Sequence, residues 1–344
     1  MGEIPEGPVG GQKSVDGQKR PSPRVPGARG SRMVTRDALR ARAQQGRADV
    51  ERQLEATRAQ LEATNDRLTA RSGRNLVSAT AIGLIGGGAM VVSLLVVKEL
   101  FMVLAGALVL LAALELSNAL RHAGRDIPRI PTGIAAVAAV PAAYYGGLGA
   151  AWAAVLGGSI LVGVWRLGEQ LFRRTASSRR DLALDIGLGA FVQGYTTFLC
   201  AFAIRLVAEP GGQLWAFAFL VLVIVVDTGA YISGLTWGKH PMAPRISPKK
   251  TWEGFAGAAV AGIVVGVLLA LLMLGQPWWV GAVFGAVVLL TATLGDLAES
   301  LIKRDIGIKD MSSWLPGHGG VLDRLDSILP SAAAAYVLYF LFGH

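Results

Sequence analysis

The chain has 344 residues, of which 52% are apolar and only 17% charged, with 33 Lys and Arg against 24 Asp and Glu. Soluble proteins carry about 25% charged residues, so this shortage excludes an ordinary water-soluble enzyme. The charge is also uneven: residues 1–75 hold 15 Lys/Arg and 9 Asp/Glu, and residues 76–344 hold 18 and 15. The expected organisation is a cytoplasmic extension over 1–75 followed by an all-α, polytopic membrane domain over 76–344.

Residues 1–32 are Pro, Gly, Ser and basic residues without an apolar stretch. They read as a disordered tail with no cleavable signal sequence. Residues 35–72 contain no Pro and place Leu54, Leu61 and Leu68 seven apart, which predicts a juxtamembrane helix. The alternate seam positions Val50, Thr57 and Thr64 are poor, so any coiled coil there is weak. The single cysteine, Cys200, sits in an apolar run, which excludes a disulfide framework and a multi-thiolate metal site.

From Leu76 onward apolar runs near the roughly 20 residues needed to cross a bilayer recur. Nine spans are expected, over 76–97, 99–119, 132–148, 150–165, 184–207, 214–233, 254–274, 278–295 and 327–343. The alternate connections then separate by basic charge, since one side, tail included, holds 31 Lys/Arg and the other only Lys98 and Arg205. Positive-inside asymmetry predicts a cytoplasmic N-terminus and a C-terminus on the opposite side of the cell membrane.

Charges within or at the ends of spans are costly and point to function. Three segments on the basic side carry them. The first is the end of the sixth span, where Asp227 follows an apolar run and precedes Thr228, Gly229 and Tyr231. A carboxylate there needs a cation, a basic partner or hydrogen-bond donors, or else caps the span end. The second is the loop 238–254, in which Ser247, Pro248, Lys249, Lys250, Thr251, Trp252, Glu253 and Gly254 stand immediately before a span. Ammonium and hydroxyl groups beside the N–H groups of a helix start suit a polyphosphate, although the spacing of a Walker loop is absent.

The third segment, 295–327, is the richest. If the eighth span continues as helix, Asp296, Glu299, Ser300, Lys303 and Arg304 share one face. Beyond the loop, Asp323, Asp326 and Ser327 repeat the i, i+3, i+4 pattern. Carboxylates with almost no His or Cys suit a hard divalent ion such as Mg2+. Hard-ion ligands mixed with lysines and arginines at a membrane surface point to transfer at phosphorus.

The run Ser300, Lys303-Arg304, Lys309-Asp310, Ser312, Leu315-Pro316, His318-Gly319-Gly320-Val321, Asp323-Arg324-Leu325-Asp326, with its intervening gaps, resembles the signature of the phosphatidate cytidylyltransferases. Asp227 to Tyr231 with Gly234, Gly238-Lys239-His240, and Ser247 to Gly254 match the same family in the same order. The resemblance runs from about 76 to 344 and is strongest from 227. It implies an enzyme that joins CTP and phosphatidic acid to give CDP-diacylglycerol and pyrophosphate, in a multi-span helical fold with a paired Mg2+ site. Carried over by position, Asp296 and Asp323 are its metal-binding aspartates. Lys303, Arg304 and His318 stand with them as catalytic candidates. Asp227, Tyr231, Ser247, Lys249, Lys250, Thr251, Glu253, Glu299, Ser300, Lys309, Asp310, Arg324 and Asp326 are the substrate-binding candidates. His318 is read either as a proton donor to pyrophosphate or as a hydrogen-bonded brace for its loop. Which lysine serves which substrate stays open.

Membrane lipids are expected around the spans, and no nucleic acid is expected as a partner. A heptad-like tail and a lipid-facing surface are compatible with a homodimer. Two alternatives remain: a CTP-dependent transferase acting on another lipid phosphate, and an ion-coupled transporter in which Asp227 and Asp296 bind the ion. Transporter halves commonly repeat with inverted topology, and no such similarity is detectable between the halves of this chain.

Overall fold

The structure, a computed structural model, describes residues 76–173, 178–312, 314 and 319–343. The chain divides into two compact units, Met1–Ala63 and Thr64–His344. The first, with the tail and most of the helix expected over 35–72, lies outside the described residues, as does His318.

The second unit is a helical bundle. Its elements are α1 (Leu76–Leu95), α2 (Lys98–His122), α3 (Arg129–Arg173), α4 (Arg179–Val192), a π-helical segment (Gln193–Phe198), α5 (Leu199–Ala208) and α6 (Gly212–Trp237). A two-stranded hairpin follows, β1 (Pro241–Ala243) and β2 (Ser247–Thr251), then α7 (Trp252–Leu269) with a π-helical end to Leu274. The chain closes with α8 (Trp278–Ile306), the short α9 (Leu322–Leu325) and α10 (Ile328–Phe342). Helices dominate because a backbone in hydrocarbon must satisfy its own hydrogen bonds. Among the described residues seven helices are long and apolar enough to cross a membrane, and the chain is an integral membrane protein.

The break at Gly147 divides one of these seven, α3, in two, which makes eight crossings among the described residues against the nine expected, with a shorter apolar stretch at Ile85–Leu95. The spans anticipated over 132–148 and 150–165 both fall within α3. Between them only Gly147 leaves helical geometry, at φ 75° and ψ −174°. That break divides α3 into two arms that fold back on each other, since a Cβ on Gly158 would fall 2.6 Å from Ala135 Cβ, so the two expected spans stand as separate helices. The fold is all-α as expected, with a short hairpin added between α6 and α7, in which β1 and β2 pair antiparallel with Pro241 opposite Thr251.

The scaffold of the charged end is the set α6, α7 and α8, whose backbones approach through small residues, as membrane helices do. A Cβ on Gly257 would fall 1.7 Å from Ser233 Oγ on α6, and one on Gly281 would fall 2.3 Å from the Gly266 carbonyl oxygen of α7. α2 to α5 and α10 pack around this set, with Phe219, Leu222 and Phe284 fully buried. The Arg166 guanidinium of α3 grips Asp185 of α4 through Nε at 3.0 Å and a second nitrogen at 2.8 Å. Both residues are buried. Removing one partner of such a pair typically costs about 3–5 kcal/mol.

The close approach of α7 and α8 yields a test. Gly281→Val must push the two backbones apart, and overpacking of this kind costs about 1–3 kcal/mol. Its thermal midpoint in detergent is expected to fall by several degrees. Gly86→Ala, where an added Cβ meets nothing within 4 Å, is expected to match the wild type.

Candidate functional site

At the end of the bundle where α6 stops and α7 starts, the hairpin folds over the helix ends. Thr251 ends β2 and caps α7, its hydroxyl oxygen accepting the Gly254 N–H at 3.1 Å. The strand thereby delivers Lys249 and Lys250 to the start of a helix. Beneath it lies a cavity of about 320 Å³ lined by Asp227 and Tyr231 of α6, Ser247, Lys249, Lys250 and Thr251 of the hairpin, and Asp296 of α8. Seven residues singled out in the sequence thus meet in one space.

Asp296 carries the first charge pair, its Oδ2 standing 2.7 Å from Lys250 Nζ while Oδ1 accepts the Ser300 hydroxyl at 3.3 Å. Asp326 lies within electrostatic range of both Asp296 and Asp227. Its backbone packs so closely on α8 that a Cβ on Gly295 would fall 2.2 Å from its carbonyl oxygen. α8 does continue as helix past Arg304, ending at Ile306.

One turn further along α8 is a second charge cluster. Lys303 Nζ stands 2.5 Å from Glu299 Oε2 and 3.1 Å from Asp323 Oδ1. Glu299 is fully buried, and its Oε1 has no hydrogen-bond donor among the described residues. Asp323 also accepts the Met311 N–H at 3.1 Å and the Gly320 N–H at 2.8 Å. The loop reaches this geometry through Gly319, whose φ of 85° suits glycine. A Cβ there would lie 2.9 Å from Asp323 Oδ2.

Several candidates are placed elsewhere. Glu253 stays out of the cavity lining because its carboxylate closes the base of the hairpin. Oε2 accepts the N–H groups of Lys239 and His240 at 3.1 and 3.2 Å, and Oε1 meets His240 Nδ1 at 2.5 Å. Arg304 shares the helix with Lys303 but turns outward, donating to the Ile246 carbonyl at 3.3 Å and tying the hairpin tip to α8. Lys309, Asp310 and Arg324 are exposed on the loop side.

The two aspartates paired from the resemblance, Asp296 and Asp323, fall in neighbouring clusters, each answered by a different lysine. Among the described residues no group of three or more His, Cys, Asp or Glu is arranged to hold a metal ion. The donor chemistry nonetheless fits a hard cation: Asp227 and Asp296 offer carboxylate oxygens to one cavity, with Asp326 behind them and the undonated oxygen of Glu299 one turn away.

One carboxylate was passed over in the sequence. Glu115 is fully buried on α2 and accepts hydrogen bonds from the loop that carries Asp323. The signal was a lone acid in an apolar span, which alone marks a functional candidate; attention to clustered charges hid it.

The description "Cytidylyltransferase family" belongs to the family model that matches residues 77–342. The phosphatidate cytidylyltransferase of Mycobacterium bovis is 42% identical over 277 residues, covering 78% of this chain and 90% of the relative. That of Mycobacterium leprae is 40% identical over 280 residues, covering 78% and 89%. That of Brucella suis is 37% identical over 159 residues, covering 45% and 57%. With the match spanning most of the bundle and both charge clusters inside it, the chain belongs to the cytidylyltransferase family.

Proposed function

We propose that this chain transfers the cytidylyl group of CTP to phosphatidic acid, giving CDP-diacylglycerol and pyrophosphate. The observation that carries this is the cavity at one end of the apolar bundle, where lysines and hydroxyls from the hairpin face carboxylates from α6 and α8. The names of the mycobacterial relatives supply the substrates.

The lipid phosphate is already ionised near neutral pH, so it needs no general base. One of its oxygens attacks the α-phosphorus of CTP, a new P–O bond forms, and the bond to the β-phosphate breaks with its electron pair leaving on pyrophosphate. The work of the site is positioning and charge compensation. Lys249 and Lys250 answer phosphate charge, while Ser247 and Thr251 donate hydroxyl hydrogen bonds beside the start of α7, where helix N–H groups also favour anions. Lys303, held between Glu299 and Asp323, adds a fixed positive charge next to the cavity. Asp296 and Asp323, with Asp227 and Asp326 close by, would hold Mg2+. Bound there, Mg2+ would supply Lewis-acid compensation for the phosphate charge.

This assignment predicts that Asp296→Asn and Asp323→Asn each lower turnover of CTP with phosphatidate by at least about 10²-fold, the scale of losing one electrostatic stabiliser. Because they act on one constellation, the double variant is expected to lose far less than the product of the singles. Mg2+ titration of residual activity should shift to higher concentration. Asp181→Asn, an exposed residue paired with Arg125, serves as the control. Wild-type turnover and Mg2+ dependence in folded Asp296→Asn would contradict the assignment.

The charged end is assigned to the cytosolic side of the cell membrane, as is the extension over 1–75, because nearly all Lys and Arg fall there. α10 runs from that end to Phe342, which sends the C-terminus to the other side. Alkaline phosphatase fused after Gly343 is expected to be active and after Leu235 inactive; equal sidedness would contradict the orientation. Deleting residues 2–70 removes no candidate site residue and is expected to leave turnover within about an order of magnitude.

A further inference from the structure

α9 has only four residues, Leu322–Leu325, and a helix of one turn does not sustain itself. Yet it holds Asp323 against Lys303. What faces its amino end is Glu115, set within α2 and fully buried. Ser312 Oγ and Val321 N donate to Glu115 Oε1 at 2.5 and 2.9 Å, and Leu322 N donates to Oε2 at 2.7 Å. The preceding N–H, from Gly320, goes instead to Asp323 at 2.8 Å. Three successive backbone donors are thus divided between two carboxylates, one reaching across 206 residues of sequence and one from the helix itself. The fit is close, since a Cβ on Gly320 would stand 2.9 Å from Glu115 Oε2.

We propose that Glu115 is a positioning residue for cytidylyl transfer: its carboxyl group anchors both ends of the 311–322 loop to α2 and so sets Asp323 in its place beside Lys303 and Glu299. The inference rests on the reading of Asp323 as a site residue. Glu115 lines no part of the cavity, so its effect passes through the loop. A carboxylate suits this role because it is acceptor-only, with two oxygens for three donors. Glutamine keeps the shape but turns an NH2 group toward one of the N–H groups.

The experiment uses the full-length protein and two variants that reach the same contact from opposite sides. Glu115→Gln alters the acceptor, and Gly320→Ala crowds it while leaving the charge in place. Both are expected to lower kcat at least about 10-fold, the scale of losing one or two buried hydrogen bonds, with KM for CTP within about threefold of wild type. Hydrogen exchange of the segment 319–325 is expected to accelerate about 10-fold in each by the same reasoning. Combining Glu115→Gln with Asp323→Asn should cost little beyond Asp323→Asn alone. Wild-type kcat and exchange in inserted Glu115→Gln would overturn the proposal. Fully multiplicative losses in the double variant would overturn it too. If Glu115→Gln fails to insert, Gly320→Ala decides by the same readouts. Unaltered turnover in Asp323→Asn alone would instead fault the site assignment, and the exchange measurement would still decide the anchor.

Discussion

Carboxylates held at the end of an apolar bundle need cationic or hydrogen-bonding partners, because leaving a buried charge uncompensated costs several kcal/mol. Here Asp296 is answered by Lys250, and Glu299 and Asp323 by Lys303. The rest of the site's architecture follows from those pairings. Lys250 belongs to the hairpin, so the hairpin must lie over the ends of α6 and α8. Asp323 follows a long loop, so the loop must fold back onto α8. Under the proposed function these lysines have a second use, since an ammonium group that neutralises a carboxylate is also within reach of a phosphate entering the same cavity.

Pairings at such distances demand a scaffold that does not drift. α7 lies between α6 and α8 almost at backbone contact, at Gly257 against Ser233 and Gly266 against Gly281. Helices packed that closely leave no room for side chains to adjust, so the positions of Asp227, Thr251 and Asp296 are set by backbone geometry. The hairpin is fastened at two further points, Glu253 at its base and Arg304 at its tip. Two residues that look like phosphate-site candidates from their position in the sequence are therefore fasteners of the element that bears the lysines.

The residues of the cavity were legible because the membrane makes charge informative: in a segment with so few ionisable groups, Asp227, Lys250 and Asp296 stand out. Their convergence was legible from their shared position at span ends. The boundary between the spans expected over 132–148 and 150–165 was legible too, because the chain turns at Gly147, within a Gly-rich stretch. The hairpin left no alternating apolar pattern, since β2 reads Ser-Pro-Lys-Lys-Thr. The side-chain division of labour was invisible for a different reason. Glu299 and Lys303 share a helix face, but their tie to Asp323 depends on how the intervening loop closes, and that closure runs through Glu115, 208 residues before Asp323 in the chain.

The central claim is that this charged cavity joins a lipid phosphate to the α-phosphorus of CTP. The direct measurement is incubation of the purified protein with CTP labelled at the α-phosphate and a panel of lipid phosphates, including phosphatidic acid and an isoprenoid-chain phosphate. The account predicts label in CDP-diacylglycerol, with unlabelled pyrophosphate released in equal amount and only in the presence of phosphatidic acid. Label entering the isoprenoid product in place of CDP-diacylglycerol, or remaining in CTP with phosphatidic acid and Mg2+ supplied, would contradict it.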